Sequence, residues 1–184
     1  RNILKKGSDV ARGDVIIGKG TPFTPAAAGL VAAAGHDGAE VYKNPDVAII
    51  ATGDEVVAIG KPLERGKVFA SNLVTISAWC GFYGMGAKTV VVRDSEEEIL
   101  DAVQRSLADS DCLITSGGAW KGDLDLVVKV LDRAGWEKIY HRVKMGPGKA
   151  AGFGLLRGKP VFCLPGGPPS NQMAFMQLAL PGLL

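Results

Sequence analysis

Apolar runs of four or five residues alternate with helical patterns from residue 47 onward. Val47–Ala51, Thr89–Val92 and Cys112–Thr115 are such runs, and they predict buried strands. Strands that are apolar throughout are typical of a parallel sheet covered on both faces. The alternation therefore predicts an α/β fold, a three-layer αβα sandwich with a mostly parallel sheet.

Helix-start signals follow these strands. Ser71 is expected to cap one helix, and Ser95 with Glu98 three residues later is a capping box that opens a second. A third helix is expected to begin at Asp123, directly after a glycine-rich turn. Each predicted helix lies between two predicted strands, as parallel crossovers require.

The last third of the chain has a different pattern. Residues Ile139–Lys144 are predicted to be extended, and Phe153–Leu156 with Val161–Leu164 are predicted to form a hairpin. A proline- and glycine-rich stretch, residues 165–170, is expected to open a final helix.

The pattern of the first 44 residues predicts one short helix and two short strands. Thr24 before Pro25 is an N-cap signal, and the alanine-rich run Ala26–Ala34 predicts a short helix. Two short apolar runs, Val15–Ile17 and Ala39–Tyr42, predict strands.

These patterns divide the chain into two parts. Residues 1–44 are interpreted as part of a small β-rich domain, and residues 45–184 as an α/β domain. The chain begins at Arg1 rather than at a methionine and stops at Leu184 directly after a helical pattern. We therefore expect a fragment of a longer protein.

The composition gives little support to nucleic-acid binding, membrane binding or membrane spanning. The chain has 184 residues, 47% of them hydrophobic, and a net charge of +2, which gives no argument for binding nucleic acid or an anionic membrane. Cys80, Cys112 and Cys163 are far apart and lie in apolar runs, so buried thiols in a reducing compartment are expected. No apolar run reaches transmembrane length. We expect a cytoplasmic protein.

Four loops follow the predicted strands, at Thr52–Glu55, Arg93–Asp94, Ser116–Asp125 and Pro165–Ser170. In an open parallel sheet, the carboxyl ends of the strands share one edge, and ligands bind in the crevice outside it. We therefore expect these loops to surround a single site.

The residue types in these loops suit an anionic ligand. Glycine-rich turns expose backbone N–H groups, and Ser116 and Ser170 add hydroxyl donors. Oxygen ligands for Mg²⁺ and fixed positive charges are also present, in Asp54, Glu55, Asp94, Asp125, Lys144 and Lys149. Taken singly, each residue is explained equally well by strand termination, helix capping or a solvated surface charge. The convergence favours a functional site.

Several other chemistries have little support. His36 and His141 are the only histidines, and neither belongs to a recognisable nucleophile–base arrangement. The sequence lacks the P-loop and dinucleotide-binding motifs. Trp120 is the one tryptophan in a glycine loop, where a flat ring could stack.

A set of motifs occurs in a familiar order along the whole chain. They are Thr52-Gly53-Asp54-Glu55, Ser71-Asn72, Ser116-Gly117-Gly118 with Gly122 and Asp125, Pro147-Gly148-Lys149, and Leu164-Pro165-Gly166 with Pro168 and Ser170. Together they resemble the molybdopterin molybdenumtransferases, the bacterial relatives of the gephyrin C-terminal region. In that family a lid-like domain would precede Arg1 and a β-barrel domain would follow Leu184.

The resemblance implies a reaction and a set of roles. The family uses Mg²⁺ to insert molybdate into adenylated molybdopterin with release of AMP, as a homodimer. It implies that Glu55, Asp94 and Asp125 bind the metal and act in catalysis, and that Asp9 is a further acidic position near the domain junction. It implies that these residues bind substrate: Thr52, Gly53, Asp54, Ser71, Asn72, Ser116, Gly117, Gly118, Gly122, Lys144, Lys149, Pro165, Gly166, Pro168 and Ser170.

The chain departs from the family pattern at five positions: Ala70, Trp120, Lys121, Gly146 and Gly167. The family has an aspartate at the position of Ala70 and an asparagine at the position of Gly167. These departures leave open a non-catalytic molybdopterin-binding or scaffold protein. A molybdopterin adenylyltransferase is a second alternative, because those enzymes resemble the family's central α/β domain. An adenylyltransferase of that kind is also a possible partner.

Overall fold

The computed structural model describes residues 3–117 and 126–184. The chain forms two compact units, Arg1–Lys43 and Asn44–Leu184. The expected start of a helix at Asp123 lies outside the described residues.

The first unit contains helix α1, Pro25–Ala33. The Thr24 hydroxyl caps it by accepting a hydrogen bond from the Ala27 N–H at 3.2 Å, with Pro25 at the first turn, as predicted. Gly35 ends it with a φ of +85°, a conformation that glycine adopts without strain.

The strands predicted in this unit are not formed. Neither Val15–Ile17 nor Ala39–Tyr42 is a strand, and the described residues 3–43 contain none. Val15 and Val41 are 83% and 63% exposed, and Ile16 and Ile17 are only half-buried, so neither run is buried as a core strand is. Short apolar runs form stable strands only when they pair and pack, and among the described residues neither run pairs with another strand.

The second unit is built on a six-stranded sheet with the order β4-β1-β5-β8-β7-β6. Strands β1, β4, β5 and β8 are mutually parallel, whereas β7 is antiparallel to both β8 and β6. The mostly parallel sheet and the β7–β8 hairpin confirm the predictions. The strands are β1 Asp46–Thr52, β4 Gly86–Val92, β5 Cys112–Ser116, β6 Glu137–His141, β7 Gly152–Leu156 and β8 Lys159–Leu164, with a separate two-stranded sheet of β2 Val56–Val57 and β3 Val68–Phe69.

Helices cover the sheet and connect its strands. No helix in the described part of the chain is both long and apolar enough to cross a membrane. The helices are α2 Ser71–Phe82, α3 Glu96–Ala108, α4 Leu126–Arg133, α5 Pro168–Ala174 and α6 Leu180–Leu183, with a π-helical turn Phe175–Ala179 between the last two.

Two helix starts differ from the sequence-based expectation. Ala70, not Ser71, occupies the cap position of α2. The Ala70 N–H donates to Val57 O, so Ala70 continues the pairing of β3 with β2, and the helix begins at the next residue. At α3 the Ser95 hydroxyl accepts from the Glu98 N–H as predicted. The Glu98 carboxylate accepts from the Arg93 N–H, so the reciprocal half of the capping box is not made.

The extended segment near residue 140 is also shifted. We expected Ile139–Lys144, but β6 begins at Glu137 and ends at His141. Arg142 has a φ of +72°, which breaks the extended conformation at that residue.

The core has two apolar layers, one on each face of the sheet. Val47, Ile49 and Ile114 belong to the layer that packs with α2 and α5. Ile50 and Leu113 belong to the layer that packs with α3 and α4. Alternate residues of one strand thus enter opposite layers, which explains why the strands are apolar throughout.

Ile114→Ala tests this core. Ile114 is fully buried, so the substitution should lower the free energy of unfolding by about 2–5 kcal/mol. Ile139→Ala, on strand β6, is the matched control because Ile139 is 62% exposed, and it should cost less than about 0.5 kcal/mol. Urea unfolding measures both values, and equal losses would contradict the two-layer core.

Candidate functional site

Four parallel strands end at one edge of the sheet. Thr52, the last residue of β1, pairs with Val92 of β4, and Ser116 of β5 pairs with Ala51 of β1 and Leu164 of β8. The loops that follow these strands therefore leave from the same edge, as the sequence predicted.

A cavity of about 640 Å³ opens at this edge. Val56, Val68, Phe69 and Ala70 give it an apolar wall. Twelve of the residues predicted to form the site line it: Thr52, Gly53, Glu55, Ser71, Asn72, Asp94, Ser116, Gly117, Pro165, Gly166, Pro168 and Ser170. The structure brings these residues together, and their individual roles remain predictions.

Three of the other predicted residues lie in the described part of the chain and do not line this cavity. Asp54 lines a neighbouring depression of about 550 Å³ together with Lys61 and Lys67. Lys144 and Lys149 are exposed on the loop between β6 and β7. Gly118, Gly122 and Asp125, with Trp120 and Lys121, lie outside the described residues.

The floor of the cavity is a hydrogen-bonded group of side chains. The Ser116 hydroxyl accepts from Asn72 Nδ2 and from Asn171 Nδ2, each at 3.0 Å. The amide nitrogens also donate at 2.8 Å to backbone carbonyls, Asn72 to Gly166 O and Asn171 to Pro165 O. These bonds fasten the starts of α2 and α5 to the ends of β5 and β8.

Asn171 was not among the residues predicted from the sequence. It is only 2% exposed and lies on α5 in line with the buried residues Ala174 and Phe175. The sequence did contain a signal for Asn171, because it occupies the first position of an i, i+3, i+4 helical stripe whose other two members, Ala174 and Phe175, are apolar. A buried polar side chain in such a stripe requires a hydrogen-bond partner.

Gly117 allows the strand ends to approach closely. Its φ is +114°, and a Cβ on it would lie 2.4 Å from the carbonyl oxygen of Thr52. Its N–H donates to Leu164 O at 3.2 Å. The cavity floor at this point is therefore bare backbone, as close contact with a ligand requires.

Two hydroxyls near the floor lack partners. Thr52 and Thr115 are 2% and 1% exposed, and their Oγ1 atoms find no hydrogen-bond partner among the described residues. Thr52 lines the cavity and Thr115 does not. An unpaired buried hydroxyl costs stability, so Thr52 is a candidate for a group that is satisfied by the ligand.

The rim of the cavity is acidic. The pKa of Asp94 is raised above its ordinary value, first because partial burial removes hydration from the carboxylate and then because Asp54 and Glu55 repel its charge. The Asp94 N–H donates to Asp54 Oδ1 at 3.3 Å, which shows how near these two residues lie. Carboxylates in such an arrangement favour a proton or a cation between them.

The proposed metal site is incomplete in the described part of the chain. Residues 3–117 and 126–184 contain no group of three histidine, cysteine or acidic side chains arranged to hold a metal ion. Glu55 and Asp94 line the cavity, but the third predicted ligand, Asp125, is outside the described residues. The Mg²⁺ site therefore stays a prediction.

The cysteines take no part in the site. Cys80, Cys112 and Cys163 are buried thiols outside any disulfide, as expected. Burial raises the pKa of Cys112 to about 12, so its thiol stays protonated at neutral pH.

The fold and the cavity define a class of protein. It is an α/β protein whose parallel strands end at a pocket lined by backbone, amide and hydroxyl groups, with an acidic rim. Residues 48–184 match the family described as a probable molybdopterin binding domain, and the chain belongs to that family.

Individual relatives agree with this assignment. The molybdopterin molybdenumtransferase of Haemophilus influenzae is 32% identical over 98% of this chain and 45% of its own length. That of Bacillus subtilis is 32% identical over 95% of this chain and 41% of its own. The crystal structure of the molybdopterin biosynthesis MoeA protein of Pyrococcus horikoshii matches with a TM-score of 0.82 and 31% identity, over 98% of this chain and 45% of that one. The chain thus spans about half the length of the relatives it matches, and the resemblance is confirmed.

Asp94→Asn tests the acidic rim. Because the folded-state pKa of Asp94 is raised, the folded protein binds more protons than the unfolded chain between the ordinary pKa and the raised one. This carboxyl group therefore makes the free energy of unfolding fall as pH rises through that window, and asparagine should remove its contribution. Urea unfolding from about pH 4 to about pH 7 measures the difference between the two proteins.

The matched control is Asp109→Asn, at the far end of α3. Relative to wild type, Asp94→Asn should gain stability as pH rises, and the gain should exceed that of the control. A difference that stays constant with pH would contradict a raised pKa at Asp94.

Proposed function

We propose that the protein acts in molybdenum cofactor biosynthesis and binds molybdopterin in the cavity at the carboxyl edge of the sheet. One observation carries the proposal: loops from four separate parts of the chain enclose a single cavity within the segment that matches the molybdopterin-binding family. Fold likeness alone would leave the site unassigned.

The cavity offers complementary groups to the two ends of such a ligand. Gly117 and Gly166 leave the backbone open to close approach by a phosphate, and α2 directs its positive N-terminal end at the cavity through Ser71 and Asn72. The apolar wall of Val56, Val68 and Phe69 suits a flat ring system.

For the whole protein we propose the reaction implied by the resemblance, magnesium-dependent insertion of molybdate into adenylated molybdopterin with release of AMP. Glu55, Asp94 and Asp125 would hold the cation, which would neutralise negative charge on the substrates. The exposed Lys144 and Lys149 would add fixed positive charge to the approach of both anions.

The non-catalytic alternative also has an observation in its favour. Ala70 and Gly167 line the cavity at positions where the resembled family has an aspartate and an asparagine. The carboxylate of the aspartate is therefore replaced by the methyl group of Ala70, and the side chain of the asparagine is absent at Gly167. The hydrogen-bonded floor beneath these positions is intact. Binding of molybdopterin without turnover would follow if those groups were needed for the reaction.

The assembly and location are proposed on the same basis. We propose a homodimer that works in the cytoplasm and receives adenylated molybdopterin from a molybdopterin adenylyltransferase. Analytical ultracentrifugation of the intact protein would measure the oligomeric state.

AMP release tests the proposed reaction. The intact protein should release AMP from adenylated molybdopterin only when Mg²⁺ and molybdate are both present. Glu55→Gln and Asp125→Asn should reduce the rate by about a hundredfold or more, because each removes a charged oxygen ligand from the cation. Glu97→Gln, an exposed position on α3, is the control and should keep the wild-type rate.

Other results would assign a different function. Binding of molybdopterin without AMP release, unaffected by Glu55→Gln, would establish the scaffold alternative. Consumption of ATP with unadenylated molybdopterin would establish the adenylyltransferase. Full activity of Asp125→Asn would remove Asp125 from the mechanism.

Thr52→Val tests ligand binding at the floor with an isosteric change. Because the Thr52 hydroxyl is buried and unpaired among the described residues, its removal should not lower the free energy of unfolding. Loss of a hydrogen bond to a charged ligand should weaken molybdopterin binding by about tenfold or more. Isothermal titration calorimetry measures the affinity.

Thr115→Val is the matched control, since its hydroxyl is equally buried but does not line the cavity. It should leave the affinity unchanged. Equal effects of the two substitutions on affinity would contradict a contact between Thr52 and the ligand.

A further inference from the structure

The Ser116 hydroxyl is held by two side-chain amides. Asn72 Nδ2 and Asn171 Nδ2 each lie 3.0 Å from Ser116 Oγ, and Ser116 is 4% exposed at the cavity floor. Three polar side chains from β5, α2 and α5 therefore meet at one oxygen atom.

The second partner of each amide fixes its orientation. Asn72 Nδ2 lies 2.8 Å from Gly166 O, and Asn171 Nδ2 lies 2.8 Å from Pro165 O. A backbone carbonyl only accepts hydrogen bonds, so a flipped amide would place two oxygen atoms in repulsive contact. Both side chains must therefore present N–H groups to Ser116.

This arrangement decides what the hydroxyl can do. A serine hydroxyl has two lone pairs and one proton. Both lone pairs of Ser116 are occupied by the amide N–H groups, and its proton has no acceptor among the described residues. The hydroxyl can only donate, and it lines the cavity.

We propose that Asn171, together with Asn72, is a positioning residue that makes Ser116 a dedicated hydrogen-bond donor to a proton-free oxygen of the ligand. The matching ligand group is an oxyanion such as the phosphate of molybdopterin, so this inference rests on the proposed function. A ligand group that must donate a hydrogen bond finds no free lone pair on Ser116 and is disfavoured there.

Asn171 is well placed for this role. Its own N–H donates to Gly167 O at 2.8 Å, so the amide sits one helical turn beyond the glycine loop. Gly167 is the position at which the resembled family carries asparagine. The chain thus keeps a side-chain amide in the same segment, but on the buried side of α5.

A double-mutant cycle tests the proposal. In Asn171→Asp the new carboxylate should accept the Ser116 proton, so molybdopterin should bind the intact protein about tenfold or more weakly. Ser116→Ala should lose a similar factor. In the Ser116→Ala background, Asn171→Asp should cause a clearly smaller loss than in the wild type. The part of its effect that acts through the hydroxyl is then absent, and only repulsion between the new carboxylate and the anion remains.

Asn171→Ala separates positioning from packing. It leaves the Ser116 proton in place, so its loss of affinity should be smaller than that of Asn171→Asp, although it removes more atoms. Circular dichroism verifies that each variant is folded. If Asn171→Asp does not fold, the same cycle is run with Asn72→Asp on the half-buried side of the cluster.

Three results would overturn the proposal: wild-type affinity in the folded aspartate variant, additive losses in the double variant, or a larger loss in Asn171→Ala. If the wild-type protein fails to bind molybdopterin, the proposed function fails, and the cycle is repeated with inorganic phosphate as the probe. Non-additive losses for phosphate would support the dedicated donor by themselves, and absence of phosphate binding would overturn it.

Discussion

The parallel register of β4, β1, β5 and β8 is the constraint on which the site depends. No local segment of the chain contains the site, because its residues range from Thr52 to Ser170. Backbone hydrogen bonds hold the four strand ends side by side, and apolar layers on both faces keep the strands from shifting. Loops carried by such a rigid frame can place functional groups accurately, although the loops themselves contribute little to the core.

The edge of the sheet is also where the apolar core gives way to polar groups. Ser116 and Asn171 are buried and hydrogen-bonded to each other, which locks the end of β5 against α5. Thr52, one strand away, is equally buried but has no partner in the described part of the chain. A buried polar group lowers stability unless it is hydrogen-bonded. The paired Ser116 and Asn171 therefore fix the geometry of the cavity floor, and the unpaired Thr52 hydroxyl marks where a ligand would supply a hydrogen bond.

The sequence predicted well whatever depends on burial and strand order, and less well whatever depends on a specific tertiary partner. The run Val47–Ala51 predicts a strand buried on both faces, and the structure has one at Asp46–Thr52. Val15–Ile17 has a similar local pattern, but it forms no strand, because no segment in the described part of the chain pairs with it and its side chains are at most half-buried. Asn171 could not be singled out from spacing, since its partners Ser116 and Pro165 are brought to it only by the fold.

The site combines two regions with opposite electrostatic preferences. The floor combines the Ser116 hydroxyl, whose proton has no acceptor among the described residues, with bare backbone at Gly117, and it favours an anion. The rim carries Glu55 and Asp94, and Asp54 lies beside it. The pKa of Asp94 is raised, first by partial burial of its carboxylate and then by repulsion from Asp54 and Glu55, and such a group of carboxylates favours a cation. An anion alone would be attracted by the floor and repelled by the rim, whereas an anion accompanied by a divalent cation satisfies both. The two regions can therefore change separately, because a rim carboxylate can be lost without breaking the hydrogen bonds of the floor.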